Sequence, residues 1–173
     1  MNLIVTCARH LEPETEEEVK TILEEIGEVN PTVRITEMSG ILTVDTALNP
    51  IDLVSKIREK ILDEPWSIRY CLRIIPIQKS IGTDYANIEN EIVNMVGTIA
   101  DDESYRITIE KRNSDISSKE IISRIANCLK NRVSLDNPDK IILVEILGRT
   151  TGLAIIQTSD ILSIEKTKRA MSE

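Results

Sequence analysis

The chain has 173 residues, of which 41% are hydrophobic, so it can form one ordinary domain or two small ones around a packed core. The formal net charge of −8 argues against uniform nucleic-acid binding over the whole surface. No apolar run approaches the roughly 20 residues of a transmembrane helix, and the first residues lack the cationic start of a signal peptide. We therefore expect a cytoplasmic protein without a membrane partner.

The charge is distributed unevenly along the chain. Residues 1–64 contain 14 acidic and 6 basic side chains, whereas residues 65–173 contain 15 of each. Within Ser104–Arg149 the balance reverses to nine basic against six acidic residues. The acidity therefore belongs mainly to the first part of the chain, and a basic region lies within the second.

The first segment predicts a strand followed by an amphipathic helix. Asn2–Ala8 alternates between apolar and polar residues, as a half-buried strand does. Thr15-x-x-Glu18 has the spacing of a capping box, and the helix that it accompanies is expected to end near Gly27.

The rest of the first 75 residues predicts two strands, a helix and a final strand. Ser39-Gly40 is a hairpin signal between two strands, and Asn49-Pro50 has the residues of a helix start. The helix is expected to bury Leu62, and the last strand is predicted at Trp66–Ile75. The order βαββαβ predicts a ferredoxin-like unit over residues 1–75.

The second part predicts the order α-β-α-β-β. Helical spacing marks Tyr85–Ile99, and Tyr105–Glu110 alternates as a strand with Tyr105 facing inward. Ser117-x-x-Glu120 is a second capping box, and the apolar run Ile141–Leu147 indicates a strand buried on both faces. A turn then leads to a last strand at Leu153–Gln157.

The sequence contains no signature of catalysis or of a metal site. The phosphate-binding and nucleophile motifs are missing, and the three cysteines are too far apart for a zinc site. The single histidine lies in Arg9-His10 at the end of the first strand, where a solvated strand end is the simpler interpretation. We predict no catalytic residues, no metal and no cofactor, and leave an unrecognised RNA-modifying site near Arg9-His10 as an alternative.

The basic region predicts a phosphate site. Lys111, Arg112 and Asn113 follow a strand and precede the helix that begins at Ser117, where free backbone N–H groups favour an anion. A solvated face is an equally good explanation from composition alone. The chain has only four aromatic residues, which favours recognition of a structured RNA by its backbone and shape. The remaining candidate contacts are Lys119, Arg124, Lys130, Arg132 and Arg149.

Four segments resemble a known family in their order and spacing. They are CLRIIPIQ from Cys71, YRITIEKRNSDISSKEIISRIA from Tyr105, VSLDNPDKIILVEI from Val133, and GLAII from Gly152. Together they are similar to a THUMP domain, and most of all to the THUMP proteins that act as tRNA-binding adaptors for the N4-acetylcytidine-forming acetyltransferase. The resemblance implies an α+β protein with a THUMP domain, made of helices and a mixed sheet, at residues 76–165. Residues 166–173 form the end of the chain, and we expect a flexible tail there.

The resemblance also implies a function. THUMP proteins bind tRNA, with the domain near the acceptor end, and many carry a fused catalytic domain. Because this chain stops soon after the domain, we expect a non-catalytic adaptor that presents tRNA to a cytidine N4-acetyltransferase. The alternatives are a protein-interaction or regulatory module that uses the acidic first half, and an RNA-binding subunit of another tRNA-modifying complex.

Overall fold

A computed structural model describes all residues from Met1 to Glu173. The fold is α+β, as predicted, with two sheets and five α-helices. The residues form two compact units, one of which combines Met1–Ile77 with Ser159–Glu173, while the other is Gln78–Thr158. None of the helices combines the length and the apolar character needed to span a bilayer.

The first unit has the predicted ferredoxin-like topology. The elements are β1 (Leu3–Cys7), α1 (Glu12–Ile26), β2 (Thr32–Ile35), β3 (Ile41–Asp45), α2 (Pro50–Asp63), β4 (Cys71–Pro76), β9 (Leu162–Ser163) and α5 (Ile164–Met171). Its sheet has the order β2-β3-β1-β4-β9, and each neighbouring pair is antiparallel. The two long helices, α1 and α2, cover one face of this sheet and bury a core of leucine, isoleucine and valine.

The helix α1 begins before the predicted capping box. Its first turn follows Leu11, whose side chain makes no capping hydrogen bond, and Thr15 is fully buried one turn later. The Thr15 hydroxyl donates to the carbonyl of Leu11 at 2.7 Å. The prediction that Thr15 and Glu18 form a capping box is therefore wrong, whereas Gly27 ends the helix in the left-handed conformation as expected.

Glu18 instead joins α1 to the segment that leads into β4. Its carboxylate accepts hydrogen bonds from three consecutive backbone amides, those of Arg69, Tyr70 and Cys71. The Cys71 bond measures 2.9 Å. A carboxylate that accepts several N–H groups at once makes strong, charge-assisted hydrogen bonds, so this contact fixes where β4 begins.

The last predicted strand of the first unit is shorter than expected. Trp66 lies in a 3₁₀ turn, Pro65–Ser67, with 69% of its surface exposed, and β4 begins only at Cys71. Pro65 fixes the backbone angle that starts this turn, so the chain does not extend directly after α2. Leu62, predicted to face the core, is 46% exposed, whereas the cap at Asn49 is confirmed by its hydrogen bonds to the first amides of α2.

The C-terminal residues belong to the first unit. The prediction of a flexible tail at 166–173 is wrong for most of that range, because Ile164–Met171 forms the helix α5. Leu162 and Ile164 are buried in the first core, and β9 pairs with β4. Lys168 donates to the carbonyl of Ile68 at 2.6 Å, which holds the helix against this unit.

The second unit contains one strand more than predicted. The elements are β5 (Lys79–Gly82), α3 (Tyr85–Met95), β6 (Tyr105–Arg112), α4 (Ser118–Ala126), β7 (Lys140–Leu147) and β8 (Thr150–Ile156). Its sheet has the order β5-β8-β7-β6, in which β6 and β7 are parallel and the other pairs antiparallel. The additional strand is β5, which was not predicted because its short, mostly polar sequence does not alternate.

The central strand β7 is buried in the core of this unit. All residues from Ile141 to Leu147 are buried, including Glu145, which confirms a strand buried on both faces. The helices α3 and α4 pack their apolar sides on one face of the sheet, where Tyr105 is 2% exposed and faces inward as predicted.

We predict that Glu18→Ala lowers the free energy of unfolding by about 1.5–3 kcal/mol, because three backbone amides lose their charged acceptor. Urea unfolding followed by circular dichroism measures this change. Glu24→Ala is the matched control, since Glu24 lies exposed on the same helix and its side chain makes no hydrogen bond. Equal losses in the two variants would contradict the assigned role of Glu18.

Candidate nucleic-acid interface

Three connections of the second unit meet at one edge of its sheet. Because β6 and β7 are parallel, their last residues, Arg112 and Leu147, pair with each other. Leu147 also pairs with Thr150 at the start of β8, which in turn pairs with Gly82 at the end of β5. We call this edge, formed by residues 82–85, 111–119 and 147–150, the C-terminal edge. Ligands of sheets with parallel strands commonly bind at such an edge.

The connections enclose a shallow groove of about 600 Å³. Its walls are the start of α3 with the residues before it, Thr83–Tyr85, the loop Asn113–Ile116, and the turn Gly148-Arg149. Backbone hydrogen bonds tie these walls together: Thr83 donates to the carbonyl of Arg149 at 2.9 Å, and Gly148 donates to that of Arg112 at 2.8 Å. The groove is therefore built on fixed backbone positions.

The helix α4 points its N-terminus towards this groove. Ser117 caps the helix, its hydroxyl accepting from the Glu120 amide at 3.2 Å, and the Ser117 amide donates to the Tyr85 hydroxyl at 2.8 Å. The next two amides, those of Ser118 and Lys119, have no acceptor in the chain. Unsatisfied amides and the helix dipole together favour an anion at this position.

The adjacent cations Lys111 and Arg112 have different surroundings. Lys111 is exposed, and its ammonium group donates to the Ile116 carbonyl at 2.8 Å. Arg112 is 33% exposed and lies 3.4 Å from the carboxylate of Glu145, which is 1% exposed. Lys111 is therefore accessible to a ligand, whereas Arg112 also compensates a buried charge.

Asn113 and Arg149 line the groove itself. Asn113 has a φ of 54°, a left-handed conformation that asparagine tolerates, and this turns the chain from β6 towards α4. Arg149 follows Gly148 in the tight turn between β7 and β8, and its side chain is exposed.

Two predicted RNA-binding residues lie on α4, and only one of them has a side chain free to bind a ligand. Lys119 is exposed in the first turn, beside the unpaired amides. Arg124 instead binds Glu120 at 3.0 Å and Glu89 at 3.1 Å, and its guanidinium stacks 5.1 Å from the centre of the Tyr85 ring. The carboxylate of Glu120, more than that of Glu89, raises the pKa of Arg124. Arg124 therefore joins α3 to α4.

Lys130 and Arg132 lie at the opposite edge of the sheet. The carbonyl of Arg132 accepts from the amide of Tyr105, the first residue of β6, at 3.0 Å. Hydrogen bonds from the Ser104 amide and hydroxyl lower the pKa of Asp139, and the charge of Arg132 contributes to a smaller extent. Lys130 and Arg132 thus lie beyond the C-terminal end of α4, apart from the predicted site residues near its N-terminus, and Arg124 lies on the helix itself.

Acidic and aromatic residues limit what the groove can bind. Asp84 and Asp115 line it, but the Asp84 carboxylate caps α3 by accepting from the amides of Ala86 and Asn87. Tyr85, the aromatic residue in the lining, has its hydroxyl bonded to Ser117 and its ring under Arg124. No aromatic face is left for base stacking, so the groove suits a phosphate and sugar backbone.

The groove wall formed by Thr83–Tyr85 was not predicted from the sequence. An aspartate directly before a helical pattern is a typical N-cap, and this signal at Asp84 could have located the start of α3 beside the groove. The alternative site at Arg9-His10 lies in the first unit, where Arg9 donates to the Ser39 hydroxyl at 3.1 Å and His10 is exposed.

The segment that carries the C-terminal edge matches a known family. Residues 83–156 match the model of the THUMP domain. The chain contains a THUMP domain. The match begins at Thr83 and ends with β8, so it includes the whole groove, and THUMP domains are RNA-binding domains. No curated protein sequence matches the chain.

Solved structures share the fold of the chain. PH1313 from Pyrococcus horikoshii Ot3 has a TM-score of 0.63 at 16% identity, over 91% of this chain and 55% of that one. TrmN from Thermus thermophilus has a TM-score of 0.57 at 10% identity, over 90% and 45%. A 4-thiouridine synthetase in complex with RNA and ATP has a TM-score of 0.53 at 11% identity, over 91% and 42%. The chain thus spans about half the length of these proteins.

We predict that Arg112→Ala destabilises the protein by about 1–3 kcal/mol, because it removes a cationic partner of the buried Glu145 carboxylate. Lys111→Ala, a neighbouring change of the same charge, should cost less than about 0.5 kcal/mol. Urea unfolding compares the two, and adding Glu145→Gln to Arg112→Ala should recover part of the loss. Equal effects of Lys111→Ala and Arg112→Ala would contradict this distinction.

Proposed function

We propose that the chain binds tRNA at the C-terminal edge of its THUMP domain and presents it to a separate modifying enzyme. The observation that carries this proposal is the position of two exposed cations, Lys111 and Arg149, beside the uncapped amides of α4 within a THUMP domain. Phosphate contacts of this kind fix the position of an RNA without reading its sequence.

Each part of the edge has a role in this proposal. Lys111, Lys119 and Arg149 supply exposed positive charge to phosphates, and the amides of Ser118 and Lys119 bind one phosphate oxygen directly. Asn113 offers an amide side chain for a 2′-hydroxyl. Arg112 and Arg124 contribute positive potential but remain bound to Glu145 and to Glu89 and Glu120.

Two observations support tRNA as the ligand. The solved 4-thiouridine synthetase of similar fold is an RNA complex, and the lack of stacking aromatics at the edge favours a structured RNA over a single strand. We place the acceptor end at the groove because the THUMP resemblance of the sequence implies it.

A non-catalytic role is part of the proposal. The groove is lined by neither histidine nor cysteine, and one of its two carboxylates is used in capping α3. The enzyme that we propose as the recipient of the tRNA is a cytidine N4-acetyltransferase, because the motifs around Lys111–Ile122 and Val133–Ile146 are most similar to the adaptors of that enzyme.

The test is a tRNA-binding titration at several salt concentrations. We predict that Lys111→Ala combined with Arg149→Ala lowers the slope of log affinity against log salt by about 1.5 and weakens binding to all tRNAs alike, because two phosphate contacts are lost. Fluorescence anisotropy of labelled tRNA measures both quantities.

The matched control is Lys130→Ala combined with Arg132→Ala, which removes the same charge from the opposite edge and should change affinity and slope much less. A tRNA that lacks its acceptor end should bind the parent protein weakly. Unchanged binding by the Lys111→Ala/Arg149→Ala variant would refute the proposed site. The adaptor role requires that the protein increase acetylation of tRNA by a cytidine acetyltransferase and form no modified nucleoside alone.

A further inference from the structure

The first unit carries a second groove, with a different chemistry. It has a volume of about 350 Å³ and lies between α1 and the segment that connects α2 to β4. We call it the acidic aromatic groove; its principal lining residues are Glu14, Glu17, Glu18, Trp66, Arg69 and Tyr70.

Glu18 holds the two walls of this groove together. Its carboxylate, on α1, accepts from the amides of Arg69, Tyr70 and Cys71 on the other wall. The position of Trp66 and Tyr70 relative to α1 is therefore set by a charge-assisted contact and by the entry into β4. The groove is a built feature of the ferredoxin-like unit.

Trp66 is exposed and does not pack in the core of the first unit. It is the only tryptophan, 69% of its surface is accessible, and it takes no part in the core of the first unit. Tyr70 beside it is 36% exposed. Large aromatic side chains on a surface are enriched at the centres of protein interfaces, where each buries a large area.

The carboxylates around Trp66 are partly free. Glu14 and Glu17 are exposed and form no ion pair, whereas their helix neighbours Glu16 and Glu25 bind Lys20 and Lys60. Arg69 is the single cation among the lining residues. The groove therefore presents net negative charge next to an open indole face.

We propose that the acidic aromatic groove docks an arginine-rich segment of a partner protein. A guanidinium can stack on the face of Trp66 while its N–H groups bind the carboxylates of Glu14 and Glu17, a combination that an ammonium or a neutral group cannot reproduce. An RNA does not suit this face, since its phosphates would be repelled by the same carboxylates.

This surface goes beyond the proposed tRNA binding and does not depend on it. It lies in the other unit and binds the opposite charge, so tRNA and a basic protein segment have separate sites on one chain.

The test uses the intrinsic fluorescence of Trp66, which reports on this groove alone because the chain has no other tryptophan. The probe is a nine-residue peptide of alternating arginine and serine, with the same peptide carrying lysine as a comparison. We expect a saturable fluorescence change with the arginine peptide and weaker binding of the lysine peptide. By calorimetry, Trp66→Ala should weaken binding by about fivefold, and Glu14→Gln combined with Glu17→Gln by about tenfold.

The control variant is Glu24→Gln combined with Glu37→Gln, which neutralises two exposed carboxylates of the same unit outside the groove. It should change the affinity by less than about twofold, because only general screening is altered. The proposal is overturned if neither peptide binds saturably, or if this control weakens binding as much as the Glu14→Gln/Glu17→Gln variant.

Discussion

The parallel pairing of β6 with β7 is the constraint on which the proposed tRNA site depends. It places the last residues of both strands at one edge, with the start of α4 beside them. Because the antiparallel strands β5 and β8 join the same edge, the turn carrying Arg149 and the loop before α3 come to lie there too. Four basic side chains, against two acidic ones, lie at the C-terminal edge because of this topology and the choice of lysine and arginine in its loops.

Some basic side chains of this region are bound to carboxylates of the chain, and others are exposed. Glu145 is buried in β7 and uses Arg112 as a partner, and Glu89 and Glu120 use Arg124 to join two helices. Lys111, Lys119 and Arg149 stay exposed at the surface. Replacing Arg112 or Arg124, which are bound to carboxylates, is therefore expected to change the stability of the protein as well as its affinity for RNA.

Much of the architecture was predictable because local signals agreed with the fold. Helix ends are marked by residues with strong local preferences, namely Gly27, Asn49-Pro50 and Ser117. The apolar run at Ile141–Leu147 is typical of a buried strand. The features that were predicted wrongly or missed depend on contacts between residues far apart in the sequence. Glu18 bonds a segment fifty residues away, β5 is stabilised by its pairing with β8, and α5 is held by packing and by Lys168.

The candidate site was predicted in part for the same reason. Lys111, Arg112 and Asn113 adjoin α4 in the sequence, so their place beside its N-terminus followed from the strand and helix assignments. The separation of Lys130 and Arg132 from this group depends on the direction in which α4 runs, and the pairing of Arg112 with Glu145 depends on the register of β6 and β7. Neither relation is visible in the spacing of the residues.

The two parts of the chain differ in charge. Residues 1–64 carry 14 acidic against 6 basic side chains, which disfavours phosphates there, whereas the proposed tRNA contacts lie in the second unit. The change in backbone amide NMR shifts on adding tRNA tests the proposed site most directly. We expect the largest changes at residues 83–85, 113–119 and 148–150. Largest changes at residues 130–140, or in the first unit, would contradict it.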